Sequence, residues 1–374
     1  MATPVDTGAA SDGDSSSSTQ KKRQKNGTNP RVERVKELIQ AYDQGYRLTG
    51  QDVCRQTLDL NEYMQLREEI NDDPHLSLIF EDKLRYEYTV DNRGKDENQF
   101  AIRMPTKFST CFSAGINGTI IQQQMLIKIG KAECGVGVCR GKFCKDSHTK
   151  EIIQSLNGGC HTTVTGEGAA EHDIRRPDLS YGYYYQRSEH PGLVVEVGWS
   201  EESPSLHEKC KWYIENSRGE IRTVIGVDLH DLYKCYPKRM TKPKGPSEDD
   251  ENKATDEDEA KMANAIAEEK ALGKIFVWRA SMDSDTGNVT AALDDDAPKI
   301  FRDENGKAVG EVALCLSLED FVSKEALEEI GASHNPEFRF MSADLCYDFN
   351  RAIRGQISQD RDIEKEEERK KHKK

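Results

Sequence analysis

Glu196 stands inside the apolar run Leu193-Val194-Val195-Glu196-Val197, in the stretch RRPDLSYGYYYQRSEHPGLVVEVGWS from Arg175 to Ser200. A strand that apolar belongs in a core, and a buried, unpaired carboxylate costs several kcal/mol or else takes up a proton. Strand alternation sends Leu193, Val195 and Val197 to one face and Val194 and Glu196 to the other. Glu196 therefore needs a compensating partner on its own face: a metal ion or a buried lysine. Asp178 follows Pro177. If DLSYGYYY and GLVVEVGW pair as a hairpin with 178 opposite 196, the turn centres on residue 187, within the polar segment QRSEHPG. Two carboxylates side by side repel unless a cation neutralises them. Oxygen ligands of this kind suit Mg²⁺ or Mn²⁺, with water and substrate phosphate completing the coordination. The next segment, SLHEKCKWYIENS, reads as a helix carrying Lys209 and Lys211, with Lys209 and Tyr213 on one face. An ammonium group there would steady negative charge on a phosphate.

The rest of the chain supplies the frame. Residues 1–30 are rich in Ser, Thr, Gly, Asp and Lys and are expected to be disordered, with Lys21-Lys22-Arg23-Gln24-Lys25 as a solvated basic patch or a short nuclear address. RVERVKELIQAYDQGY is a helix with Val32, Val35, Leu38, Ile39 and Tyr42 on one face, and the following TGQDVCRQTLDLNEYMQLREEINDD is read as one or two short helices. LRYEYTVDNRGKDENQFAIRMP gives strand, turn, strand. Phe108, Phe112, Ile116, Ile120 and Ile127 make a helical stripe, and from 150 to 236 the pattern is strand, strand, helix, strand. The expected fold class is α/β: a mixed central sheet flanked by helices, with a helical N-terminal segment and a small C-terminal β-rich appendix. The domain over 31–236 has its core at 106–236. A linker covers 237–270, the α+β appendix 271–355 either stands apart or extends the main sheet, and 356–374 is a charged tail.

In order, Pro-Asp, a strand Glu with a Ser shortly after it, a Lys-x-x-x-Tyr helix and a further strand resemble the PD-(D/E)XK nuclease superfamily. The chain is most similar to its restriction-endonuclease-like branch, whose lysine has moved to the next helix. The matching residues are Pro177-Asp178, Glu196 with Ser200, and Lys209 with Tyr213, followed by the strand IRTVIGVDL. The resemblance implies metal ligands at Asp178 and Glu196, a catalytic lysine at Lys209, Mg²⁺ or Mn²⁺ as cofactor, and hydrolysis of phosphodiester bonds in DNA or RNA. Three positions depart from the pattern. Gly198 stands where the unmigrated lysine would be, Trp199 stands where the serine tends to be, and the helix before the sheet carries no acid. Gln122, Gln123 or Gln124 is left to stand in, with Gln123, Ser200, Lys211 and Tyr213 as auxiliary candidates. The alternative is an inactive nuclease-like fold that binds a protein partner through the acidic linker or the appendix.

The net charge of −14 argues against a generally basic nucleic-acid coat. It is unevenly spread: Gly245–Lys270 holds ten acids against three lysines, net −7, whereas Glu171–Arg239 holds twelve acids against ten basic residues, net −2. The candidate site thus sits in a nearly neutral region. No run of about eighteen apolar residues is present, so no membrane span is expected, and no secretory signal is recognisable. Ten cysteines are then most simply reduced thiols of an intracellular protein, nuclear or cytoplasmic. Cys134, Cys139, Cys144 and His148 form a zinc-type residue set without the usual tight spacing, and free thiols are the simpler reading. Lys131, Arg140, Lys142 and Lys145 are either phosphate contacts or solvated surface. The tyrosines of YGYYY are read as strand packing residues. No GxxxxGK[ST] loop occurs, so no nucleotide cofactor is expected.

Overall fold

The computed structural model describes residues 29–43, 53–90, 98–103, 106–131, 146–159, 162–166, 172–183, 188–236, 255–283, 285–295, 297–332 and 334–372. The chain opens with helix α1 (Pro30–Asp43), strand β1 (Val53–Thr57), helices α2 (Leu60–Asp72) and α3 (Pro74–Leu78), and strands β2 (Arg85–Thr89) and β3 (Gln99–Arg103). A reciprocal capping box starts α2: Asp59 accepts from the Glu62 amide, and Glu62 accepts from the Asp59 amide. Val53–Thr57 is a strand, not the helix its flanks suggest, because it pairs antiparallel with β3 along its whole length. Pairing between β2 and β3 makes the expected hairpin.

Next come α4 (Lys107–Lys128), α5 (Ser147–Gln154), β4 (Leu156–Gly159), β5 (Val164–Thr165), β6 (Ile174–Arg175), β7 (Leu179–Tyr183), β8 (Leu193–Gly198), α6 (Ser203–Asn216), β9 (Thr223–Asp228) and α7 (His230–Cys235). The remainder is α8 (Asp256–Glu269), β10 (Gly273–Met282), β11 (Val289–Leu293), β12 (Lys299–Arg302), β13 (Val312–Ser317), α9 (Lys324–Ile330), β14 (Glu337–Met341) and α10 (Ser342–Lys371).

The fold is mixed α/β. One sheet has the order β1-β3-β2-β6-β5; its core packs Val32, Val35 and Ile39 of α1 against Tyr86, Tyr88 and Phe100. The larger sheet runs β11-β10-β9-β8-β7-β4, with β12 also on β10. Residues 31–236 thus contribute to two sheets. At the centre β8 and β9 are parallel, joined through α6, since parallel neighbours need a crossover connection. Every residue of both strands is buried, as expected where both sheet faces are covered. One face carries Leu193, Val195 and Val197 in the main core with Phe108, Phe112 and Phe349; the other carries Val194 with Leu206, Cys210 and Tyr213 of α6. That is the division the alternation predicts.

The C-terminal segment 271–355 divides in two. Strand β10 pairs antiparallel with β9, so β10, β11 and β12 extend the main sheet, while β13 and β14 form their own ladder. The stretch read as a linker contains α8, whose Met262 and Ile266 are buried. The charged end is not a separate tail within the described residues: α10 continues to Lys371, with Ile357 buried and Asp360 accepting from the Tyr236 hydroxyl at 2.7 Å. Arg361 pairs with Asp258 and Arg354 with Glu259, which ties α10 to α8. Residues 1–28 and 237–254, including Lys21–Lys25, lie outside the described residues. Among those described, no helix is long and apolar enough to cross a membrane.

Candidate active site

Strands β7 and β8 pair Leu179 with Val195, Ser180 with Val194 and Tyr181 with Leu193. One residue further in the same register, Asp178 faces Glu196, which is the opposition expected from the turn at 187. The Val197 amide donates to Asp178 Oδ2 at 2.8 Å, fixing that carboxyl against β8. Asp178 also sits at a hand-off between sheets. Residues 174–175 belong to the N-terminal sheet and residue 179 opens the main one. Between them Arg176 donates to the Phe80 carbonyl at 3.0 Å and to the Glu81 carbonyl, which anchors the crossing point.

Glu196 is 1% exposed. Its Oε1 accepts from the Tyr213 hydroxyl at 2.7 Å, and its Oε2 lies 3.7 Å from both Lys209 Nζ and Arg103 Nη1. Lys209 is 2% exposed and is held by Glu201 Oε2 at 2.7 Å and Glu87 Oε1 at 3.0 Å. Arg103 reaches Glu87 at 2.7 Å and Glu201 at 3.1 Å. Four carboxylates and two cations thus share one cluster, with Arg85 as a further positive neighbour of Asp178. Three elements supply the expected groups: Asp178 at the foot of β7, Glu196 in β8, Lys209 and Tyr213 on one face of α6.

Burial, then repulsion from Asp178, raises the Glu196 carboxyl well above the ordinary glutamate range. Burial likewise raises Asp178, against the pull of Arg85 and the Val197 amide. Glu201 is raised by burial, opposed by Arg103. Burial alone would lower Arg103, but Glu87, Glu201, Glu196 and Asp178 outweigh it and raise the guanidinium further. The Tyr213 hydroxyl is pushed up by burial and by the Glu196 charge it donates to, so it is a fixed donor here.

Glu87, Arg103 and Glu201 were not among the sequence candidates. In β2, Tyr86 and Tyr88 are buried in the N-terminal core, so Arg85 and Glu87 face the other way. Arg103 is the cross-strand partner of Arg85. Like charges directly opposite are unfavourable unless an anion lies between them, and the alternation Arg-Tyr-Glu-Tyr was the readable signal.

Other candidates lie elsewhere. Gln123 is corrected as a stand-in for the missing helix acid. Phe108, near the start of α4, stacks on Trp199 just beyond β8, with centroids 3.9 Å apart. Gln123 is fifteen residues further along the helix, about 22 Å. The adjacent Gln124 donates to the Ile153 and Leu156 carbonyls, and Leu156 pairs with Tyr183 at the end of β7 away from Asp178. Lys211 pairs with Glu208 at 3.2 Å and lies over the Trp278 ring, on another side of α6. Among the described residues no hydrogen bond joins Ser200 to these acids; Glu201, next in sequence, makes the contacts instead. Cys134, Cys139 and Cys144 lie outside the described residues, as do Arg140, Lys142 and Lys145, while His148 and Lys131 are exposed. Tyr181 is buried and its hydroxyl donates to Asn117.

The donor set, hard carboxylate oxygens only, matches Mg²⁺ or Mn²⁺ in chemistry. Lys209 and Arg103 lie among the acids, and among the described residues no three acidic, histidine or cysteine side chains converge to hold a metal ion. No family model matches the chain, and no curated protein or solved structure matches it.

Proposed function

We propose that the chain is a metal-dependent nuclease that hydrolyses phosphodiester bonds in DNA or RNA through a PD-(D/E)XK-like site. One observation carries the reading: the Asp178, Glu196 and Lys209 side chains, drawn from three elements, meet in a single buried-to-half-buried cluster. Asp178 and Glu196 would hold the metal. When bound, Mg²⁺ or Mn²⁺ supplies an activated water and neutralises charge on the phosphate. Tyr213 keeps Glu196 aimed by holding one of its oxygens, and Lys209 offers N–H donors to a phosphate oxygen. Charge balance agrees. Four carboxylates against Arg85, Arg103 and Lys209 leave one negative charge. A divalent ion reverses that to one positive charge, which a single phosphodiester then cancels.

A second reading is an inactive nuclease-like fold acting as a protein-interaction adaptor. The observation favouring it is that Lys209 and Arg103 already pair the acids. Its partner surface would include the exposed Asp256 and Glu257 in the first turn of α8. Titration calorimetry with Mn²⁺ separates the two. The nuclease reading expects saturable binding by the wild type that Asp178→Asn removes. No Mn²⁺ binding, or binding indifferent to Asp178, leaves the adaptor.

A further inference from the structure

We infer that the outer face of α4 is a dimerisation surface, on which a second copy of this chain packs its own α4 antiparallel to the first. The inference is independent of the chemistry proposed for the Asp178–Glu196 cluster. Helix α4 buries Phe108, Phe112, Ile116, Ile120 and Ile127 in the main core. Its opposite side is apolar as well. Ile121 is 46% exposed, Met125 is 62% exposed, and Ile129, whose amide continues the last turn by donating to the Met125 carbonyl, is 60% exposed. These three recur at i, i+4 and i+8 and so line one side of the helix. Among the described residues no other helix exposes more than one large apolar side chain. No charged residue lies in α4 between Lys107 and Lys128, so covering this stretch desolvates no charge. An exposed apolar stripe of this kind marks a contact surface.

Gly118 narrows the choice of partner. It lies mid-helix, where glycine costs stability relative to alanine. Nothing in its own chain calls for a glycine: its φ is not positive, it is exposed, and a Cβ there would meet no atom within 4 Å. Gly115 is different, because a Cβ there would run into the Asp348 carboxyl. The bare position at 118, with the exposed Ala114 one turn before it, forms a shallow notch beside the bulky Ile121-Met125-Ile129 half of the stripe. Small and large residues thus occupy opposite halves of one face. An antiparallel copy related by a twofold axis near Ile121 sets Met125 of each chain against Gly118 of the other, and Ile129 against Ala114. Such a surface is its own complement, as a twofold interface requires. Charge selects the same orientation. A parallel pair would bring Lys107 to Lys107 and Lys128 to Lys128, whereas the antiparallel pair sets Lys128 against the uncharged middle of the other α4. From Ala114 to Ile129 the stripe runs about 24 Å. That is a short contact for a specific interface, so the dimer is expected to dissociate in the micromolar range.

Sedimentation velocity of the full chain in reducing buffer, from about 1 μM to about 200 μM, tests this. The wild type is expected to pass from monomer to dimer across that range with no larger species, because a twofold contact closes on itself. Met125→Glu and Gly118→Leu are each expected to weaken the dimer by about tenfold or more, the first by burying an unpaired charge and the second by filling the notch. Gly118→Leu carries a second readout that damage to the fold would not give. In dilute solution, where the wild type is monomeric, it should melt no lower than wild type, since leucine is the better helix former and its Cβ meets nothing. A variant as stable as the wild-type monomer yet poorer as a dimer places the notch in the contact. Should it melt lower, Gly118→Ala replaces it, with a weaker dimer again expected and an unchanged one overturning the inference. A monomer at every concentration also overturns it. So does wild-type dimerisation in either variant, which puts the contact elsewhere. Binding of a permanently monomeric chain to phosphatidylglycerol vesicles, lost in Met125→Glu, would give the face to a lipid surface and overturn it too.

Discussion

Tyr213 holds one oxygen of a carboxylate that has almost no contact with water, and so decides which way the other oxygen faces. Removing the hydroxyl leaves a buried acceptor without its donor, which costs the desolvation of that group rather than the small net value of a hydrogen bond. Tyr213→Phe should lower the unfolding free energy by about 1–3 kcal/mol, read as a shifted urea midpoint with an unchanged slope. A change below experimental error would mean that water or another donor replaces it. A second buried acid lies away from the site. Asp348 of α10 packs against Gly115 of α4, and burial raises its carboxyl above the ordinary aspartate value, opposed by Arg351 at 3.4 Å and assisted by Asp344. A carboxyl raised by folding contributes stability that is complete below its unfolded value and is lost as pH rises through its folded one. Asp348→Asn should therefore gain stability relative to wild type as pH rises from about 4 towards neutrality, measured by thermal melts across that range. Parallel curves for the two proteins would contradict the assignment. At this scale the sequence was informative for β8, because five alternating positions with one acid define both faces. It was less so for Glu201, whose role depends on the α6 lysine folding back over the end of β8.

The element that positions the site is the unit β8-α6-β9. In the parallel ladder Glu196 is beside Gly226, and a Cβ at 226 would run into the Phe276 ring on β10. The glycine thus lets an aromatic ring close over the sheet face that holds Glu196. Gly226→Ala should destabilise by about 1–3 kcal/mol through overpacking, read by chemical denaturation, and a neutral effect would show that Phe276 moves aside freely. The β7–β8 register was legible from the polar turn and the two acids. The pairing of β9 with β10 was not, because roughly forty residues of acidic and helical chain separate them, and only long-range packing decides where β10 returns. The same limit hid β1: Val53–Thr57 has weak alternation and becomes a strand because β3 offers it an edge. In α4 the sequence showed that a helix was present, but not which end met the site. The stacking of Phe108 on Trp199 settles that, and excludes the glutamines.

Across the molecule, two sheets with separate apolar cores meet over a charged cluster. The N-terminal sheet offers Arg85, Glu87 and Arg103; the main sheet and α6 offer Asp178, Glu196, Glu201 and Lys209. Neither half balances its charge alone, so docking of one on the other and assembly of the site are one event. No sequence periodicity reports this, since the two contributions lie on either side of α4 and α5. The central claim is that this shared cluster performs metal-dependent hydrolysis. Its most direct test is incubation of labelled DNA and RNA with the full chain in Mg²⁺, in Mn²⁺ and in EDTA, beside Glu196→Ala. Cleavage by the wild type in metal alone, reduced in Glu196→Ala by about 100-fold or more, is the expected result. No metal-dependent cleavage of either nucleic acid, or equal cleavage by Glu196→Ala, would contradict it.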